Sequence, residues 1–183
     1  MRPLKIEAPF EEGTLRRLSV GEEVLISGII YTARDAAHSR LIELIGKGLP
    51  LPLPLKNQLF YYTGPTPCPP GKIFGSAGPT SSYRMDSLTV PLLSRGLRGM
   101  IGKGQRSEQL GRLLRQYGAV YFLAPAGAGA YLSQRIKRAE LVAFPDLGPE
   151  AVYRLWVDEF PTLVGIDTKG RDLYRVGANL PFS

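Results

Sequence analysis

Two arginines, a lysine and a row of hydroxyls stand where the sequence turns from strand into helix. Arg34 and Asp35 follow an aliphatic run ending at Tyr31-Thr32, and His38 comes shortly after. Gly78-Pro79 leads into Thr80, Ser81 and Ser82, with Arg84 one helical turn beyond Thr80. Lys103 lies between Gly102 and Gly104, just past Met100-Ile101. Arginine offers a planar fork to a carboxylate and lysine a mobile point charge, so the set suits a carboxylate clamp. A helix capped by Thr32 or Asp35 would add free N–H groups that favour an anion beside Arg34. Each group also has a structural reading. Arg34–Asp35 fits a surface pair, His38 a helix-face histidine, Thr80–Ser82 an N-cap cluster, and Gly102-Lys103-Gly104 a solvated turn.

The elements that must position these residues follow from periodicity. Val24, Leu25, Ile26, Ile29 and Ile30 predict a buried strand within Ser19–Thr32. Ala37, Leu41, Leu44 and Ile45 recur at helical spacing from Arg34 to Lys47, closed by Gly46 and Gly48. Pro50-Leu-Pro-Leu-Pro54 is a surface crossing, because alternating prolines suit neither helix nor central strand. Short strands are expected at Tyr61-Tyr62 and Ile73-Phe74, either side of the Pro-rich stretch Gly64 to Gly71. Then come a helix from Tyr83 to Ser94, a strand at Gly99–Ile101, a helix from Ser107 to Tyr117 and a strand from Ala119 to Leu123. A small-residue helix start at Ala126–Ala130 precedes strands at Glu140–Phe144, Tyr153–Val157 and Leu163–Ile166. Strand–helix alternation followed by strands gives a layered α/β domain with a mixed sheet, and residues 1–183 read as a single domain.

Bulk properties narrow the chemistry. The 183 residues carry 23 Lys and Arg against 16 Asp and Glu, a formal +7 that favours an anionic partner without naming it. The lone cysteine, Cys68, excludes an internal disulfide, a zinc knuckle and an iron–sulfur cluster held by this chain alone. No metal site is expected. Gly102-Lys103 lacks the flanking residues of a phosphate-binding P-loop. Gly127-Ala128-Gly129 lacks the third glycine of a dinucleotide loop, so close helix packing is the better reason for its small residues. No run is apolar enough to span a bilayer, and Met1–Phe10 does not read as a signal peptide. A cytoplasmic location is the expectation.

Arg34-Asp-Ala-Ala-His38, Tyr62-Thr-Gly-Pro65, Gly78-Pro-Thr-Ser-Ser-Tyr-Arg-Met-Asp86 and Ile101-Gly-Lys-Gly104 together resemble the beta subunit, or C-terminal domain, of class I fumarate hydratases. The related L(+)-tartrate dehydratases share the pattern. It continues through Ala126–Ala130, Glu150-Ala-Val152, Phe160-Pro161, Asp167 and Gly170, and so covers nearly the whole chain. Two departures stand out: Ser81 replaces the family's second threonine, and Ala128 interrupts a Gly-Gly pair.

The resemblance implies a swivelling β/β/α fold and a hydro-lyase that is inactive without an alpha-type partner. That partner carries a [4Fe–4S] cluster on three cysteines, and the beta-type chain closes over it in a hetero-oligomer. At matching positions Arg34, Arg84 and Lys103 hold the carboxylates of a C4 dicarboxylate, and Thr80 stands at the carbon that loses a proton. Asp35, His38, Ser81 and Ser82 are the supporting residues. Hydration of fumarate to L-malate is the first expectation, with the tartrate reaction as the alternative. A non-catalytic anion or nucleic-acid binding module is the reading from another class. Against it, the basic residues are scattered and no RNA-binding aromatic motif is evident, so no nucleic acid and no membrane are expected as partners.

Overall fold

The computed structural model describes residues 2–178. Aliphatic residues at alternate positions build the strands, because side chains two apart share one face of a sheet. Strands β2 (Glu23–Thr32), β3 (Leu59–Tyr61), β4 (Gly99–Gly102) and β5 (Val120–Leu123) lie side by side and parallel. The long antiparallel β7 (Val152–Ile166) pairs with β5 on one edge and with β2 on the other, closing the sheet on itself. Two strands flank this closed sheet: β1 (Leu4–Ala8), parallel to β2, and β6 (Ile136–Ala143), antiparallel to β7.

The period of two separates two cores. Ile30, Tyr61, Ile101, Val120 and Phe122 pack together on the inner face with residues of β1 and β7. Their neighbours Tyr31, Phe60, Tyr62, Met100 and Tyr121 point outward into a second core. The helices α1 (Asp35–Gly46), α2 (Asp86–Ser94) and α3 (Glu108–Tyr117) cover that outer face with Leu41, Leu92, Leu93, Leu110 and Leu114. Two shorter helices, α4 (Gly129–Ser133) and α5 (Leu173–Ala178), follow β5 and β7. The layered α/β architecture with a mixed sheet agrees with the sequence reading.

Several boundaries differ from expectation. The two strands expected at Tyr153–Val157 and Leu163–Ile166 are one strand that runs through Pro161. Val164 N donates toward the β2 side, to Glu22 O at 2.9 Å. By the two-residue period Pro161 therefore faces the opposite edge, which lies between the β6 pairing that ends at Val157 and the β5 pairing that starts at Leu163. No donor is needed there, so proline is tolerated. Strand β6 begins four residues earlier than expected, at Ile136, and β1 was not anticipated. Ile73-Phe74 is not a strand. The prolines at 65, 67, 69 and 70 remove ladder donors, and Thr66 closes the loop instead through two 3.0 Å bonds with Ser76. Phe74 anchors it by packing edge-on against Tyr153. The helix expected from Tyr83 begins as a 3-10 turn, Tyr83–Met85, before α2.

Candidate functional site

Parallel strands β2, β3 and β4 end together, and the loops leaving them carry the chemistry-bearing residues. Ligands gather at this end of parallel strands in closed as well as open sheets, because loops rather than ladder atoms face outward there. Arg34 starts α1 with extended backbone and forms an ion pair, its Nη2 lying 3.3 Å from Glu150 Oε1. Its Nε lies 3.9 Å from Asp35 Oδ2. The guanidinium also presses on Gly64, where a Cβ would come within 2.7 Å of Nη1. Asp35 bridges to the second arginine: Arg84 Nη2 donates to Asp35 Oδ2 at 3.3 Å and to Thr80 Oγ1 at 3.1 Å.

Backbone bonds lock the hydroxyl loop between β3 and β4. Thr80 N donates to Tyr62 O at 2.8 Å, and Lys103 N donates back to Thr80 O at 3.1 Å. Ser82 N donates to Lys103 O at 3.0 Å, so the loop runs as a short parallel bridge beside Lys103. Among the described residues, Lys103 Nζ has no ion-pair partner, and its side chain is half-buried. Ser81 is exposed, whereas Ser82 is buried. Tyr121 OH bonds with both Ser82 Oγ and the Gly104 carbonyl, each at 3.0 Å. Gly102 permits this packing, because a Cβ there would lie 1.8 Å from Ser82 Oγ. Gly129 is needed in the same way, since its Cβ would lie 2.8 Å from Gly78 N; Gly127 is not packed, with nothing near a Cβ, and is required instead by its positive φ of 74°.

Two parts of the sequence reading change. Neither Thr32 nor Asp35 caps α1. Thr32 Oγ1 ties β2 to β7 instead, donating to Ala151 O and accepting from Tyr153 N. The start of α1 is not an open anion site, because Glu150 Oε2 accepts from Ala36 N at 2.9 Å and fills that role from within the chain. The two arginines are also less free than a bare clamp. Arg34 pairs with the carboxylates of Asp35 and Glu150, and Arg84 with that of Asp35. A guanidinium has five N–H donors, so capacity for a ligand carboxylate remains.

His38 lies beneath this surface, fully buried and edge-on to Phe60 and Tyr62. Its Nδ1 donates to Arg34 O at 2.9 Å, which fixes the backbone that launches Arg34. Burial pushes its pKa down to about 4, and the Arg106 charge adds to that, so the imidazole is neutral at pH 7. Arg106 was not anticipated. It is fully buried, donates from Nε to Asp86 Oδ1 at 2.5 Å, and stacks over the rings of Tyr121 and Tyr62 at 4.8 and 5.5 Å. Asp86 Oδ2 in turn accepts from Ser107 N at 2.7 Å, joining the starts of α2 and α3. In the sequence Glu150 is marked only by the family resemblance. Its pairing with Arg34 has no local signal.

Comparison with known proteins gives the family of the chain. The family model described as the fumarase C-terminus matches residues 1–177. The chain belongs to that family. Among curated members, fumarate hydratase 2 of Leishmania major is 38% identical over 162 residues, covering 87% of this chain and 28% of that protein. The anaerobic class I fumarate hydratase of Escherichia coli is 39% identical over 163 residues, covering 88% and 30%. The chain thus spans less than a third of these fumarate hydratases. A putative L(+)-tartrate dehydratase subunit beta of Methanocaldococcus jannaschii is 36% identical, with 87% of this chain matching 85% of that one. The resemblance read from Gly78–Asp86 and its companion motifs is therefore upheld, and the family's named relatives are hydro-lyases.

Proposed function

We propose that this chain is the beta-type part of an iron–sulfur hydro-lyase and supplies the carboxylate-binding surface and Thr80 to a C4 dicarboxylate. Fumarate and L-malate are the pair it serves. The observation that carries this reading is the gathering of Arg34, Thr80, Arg84 and Lys103 from three separate loops at one end of the parallel strands. Removing a proton beside a carboxylate leaves a carbanion whose charge spreads into that carboxylate. Fixed cations aimed there lower the barrier, and one well-placed donor is worth about 3 kcal/mol. Thr80 is a weak base by itself. Its Oγ1 accepts from Arg84 at 3.1 Å, and a positive partner lowers the cost of charge on that oxygen. Asp35 holds Arg84, and Glu150 holds Arg34, so both forks are oriented before a ligand arrives.

This chain's own donors do not fit a [4Fe–4S] cluster, which takes several thiolates. Cys68 is the single thiol, exposed in the Pro-rich loop and turned toward Lys72 O at 3.2 Å. The cluster is accordingly assigned to an alpha-type partner, and the chain works in a hetero-oligomer. A tartrate-type substrate is the second reading, favoured by the match in length to the Methanocaldococcus jannaschii subunit. Some arginines are neutralised locally, as in the pairs Arg40–Asp146 and Arg138–Glu140. Among the described residues no helix is long and apolar enough to cross a membrane.

Arg84→Ala tests the clamp directly. In the complex with the partner it lowers turnover by about 10²–10³-fold while assembly is unchanged. Turnover within threefold of wild type would mean that the clamp is misplaced.

A further inference from the structure

Among the described residues one arginine or lysine is buried, and the proposed chemistry does not use it. Arg106 has no exposed side-chain surface and sits under the loops that carry Thr80, Arg84 and Lys103. We infer that Arg106, locked to Asp86, is a positioning residue that sets the register of those two loops and does not itself touch substrate. This inference rests on the functional reading above.

Arg106 Nε pairs with Asp86 Oδ1, which fixes the guanidinium against the first residue of α2, directly after the turn that bears Arg84. Arg106 Nη2 reaches Thr89 Oγ1 at 3.5 Å, and Thr89 in turn meets Tyr62 OH at 3.1 Å. The guanidinium plane then covers the rings of Tyr62 and Tyr121. Those two tyrosines reach the site from below. The Tyr62 carbonyl receives Thr80 N–H, and Tyr121 OH ties Ser82 to Gly104, the residues on either side of the bridge to Lys103. Burial raises both phenol pKa values, so Tyr62 and Tyr121 stay neutral hydrogen-bonding groups. One side chain therefore braces the Thr80 loop through Tyr62, the Lys103 loop through Tyr121 and Arg84 through Asp86.

The Arg106–Asp86 pair is an expensive way to stabilise a fold. A buried ion pair often does no better than apolar residues of the same volume. Its geometric specificity is what apolar packing lacks, since a guanidinium combines a directed fork with a flat stacking face. Lysine keeps the charge but has neither fork nor face. Arg106→Lys is thus the informative conservative variant, and Arg106→Gln the severe one.

Two readouts test the inference. In the complex, both variants lower kcat by about 30-fold or more with KM within threefold, since misplacement of about 1 Å costs about 10²-fold in rate. In the isolated chain, amide hydrogen exchange of Arg106→Lys accelerates at Thr80, Ser82 and Lys103, whose N–H groups make the bracing bonds. Exchange at Val164, in the β2–β7 pairing, stays unchanged. A uniform acceleration across the chain would overturn the inference in favour of a general stabilising role. A large rise in KM with kcat intact would overturn it in favour of substrate binding, and unchanged exchange at the three amides would also refute it. If Arg106→Gln does not fold, Arg106→Lys is judged by the same measures. If the wild-type complex proves inactive, the hydro-lyase reading fails, while the exchange pattern still decides whether Arg106 braces the loops.

Discussion

Gly102 offers the sharpest test of how the hydroxyl loop is held. Its backbone is an ordinary strand, so alanine there brings no backbone strain and the effect is steric. A methyl group would lie 1.8 Å from Ser82 Oγ and 3.2 Å from both Ser82 Cβ and the Tyr62 ring. Ser82 can relieve the worst contact only by turning its hydroxyl away. That gives up the 3.0 Å bond with Tyr121 OH and the 3.4 Å bond to Thr80 O, about 1 kcal/mol each. The remaining tight contacts bring the total to about 2–3 kcal/mol, within the usual cost of overpacking. Urea unfolding of Gly102→Ala should show that loss with an unchanged m-value, and thermal unfolding should fall by roughly 5–10 °C. Turnover in the complex should fall with it, because Ser82 stands between Thr80 and Arg84. Pairing the change with Ser82→Gly removes the obstructing atoms and should recover about 1–2 kcal/mol in a double-mutant cycle. A Gly102→Ala chain within about 0.5 kcal/mol of wild type, or a cycle with no coupling, would refute the steric account.

Other perturbations reach different parts of the site. The folded pKa of His38, about 4, lies below its unfolded value of 6.5, so the unfolded chain binds more protons between those limits. Stability from this group is present above pH 6.5 and lost as pH falls toward 4. Between pH 7 and 5 the loss is about 2 kcal/mol, and unfolding at both pH values should show it in wild type but not in His38→Gln. Glu150→Ala removes the cap on α1 and should cost about 1 kcal/mol by urea unfolding, while raising KM as Arg34 loses its brace. Thr80→Ala should lower kcat in the complex without weakening substrate binding. Unchanged turnover would take the proton-transfer role away from Thr80.

The candidate residues stand out in sequence because most of them lie beside glycine, proline or a hydroxyl run. Gly78-Pro79 before Thr80 and Gly102 before Lys103 are local signals, and local geometry delivers those residues. Glu150 and Arg106 were not legible, for a physical reason. Glu150 meets Ala36 across 114 positions, and Arg106 meets Asp86 across 20, so nothing near either residue announces its partner. An arginine two residues past Gly104 reads as surface until the fold wraps Tyr62, Tyr121 and Asp86 around it. The strand break expected at Pro161 failed similarly, because only the sheet shows which edge of β7 lacks a partner at that point. Several strands of a mixed sheet were legible from aliphatic runs, whereas β1 and closure of the sheet by β7 were not.

The central claim is that this chain is the substrate-clamping half of an enzyme whose cluster lies elsewhere. It is tested most directly by assaying fumarate hydration with the purified chain alone and after anaerobic reconstitution with a cluster-bearing alpha-type partner. The account predicts no turnover from the chain alone and full turnover from the reconstituted complex, lost again in the Arg84→Ala complex. Full turnover from the purified single chain would contradict it.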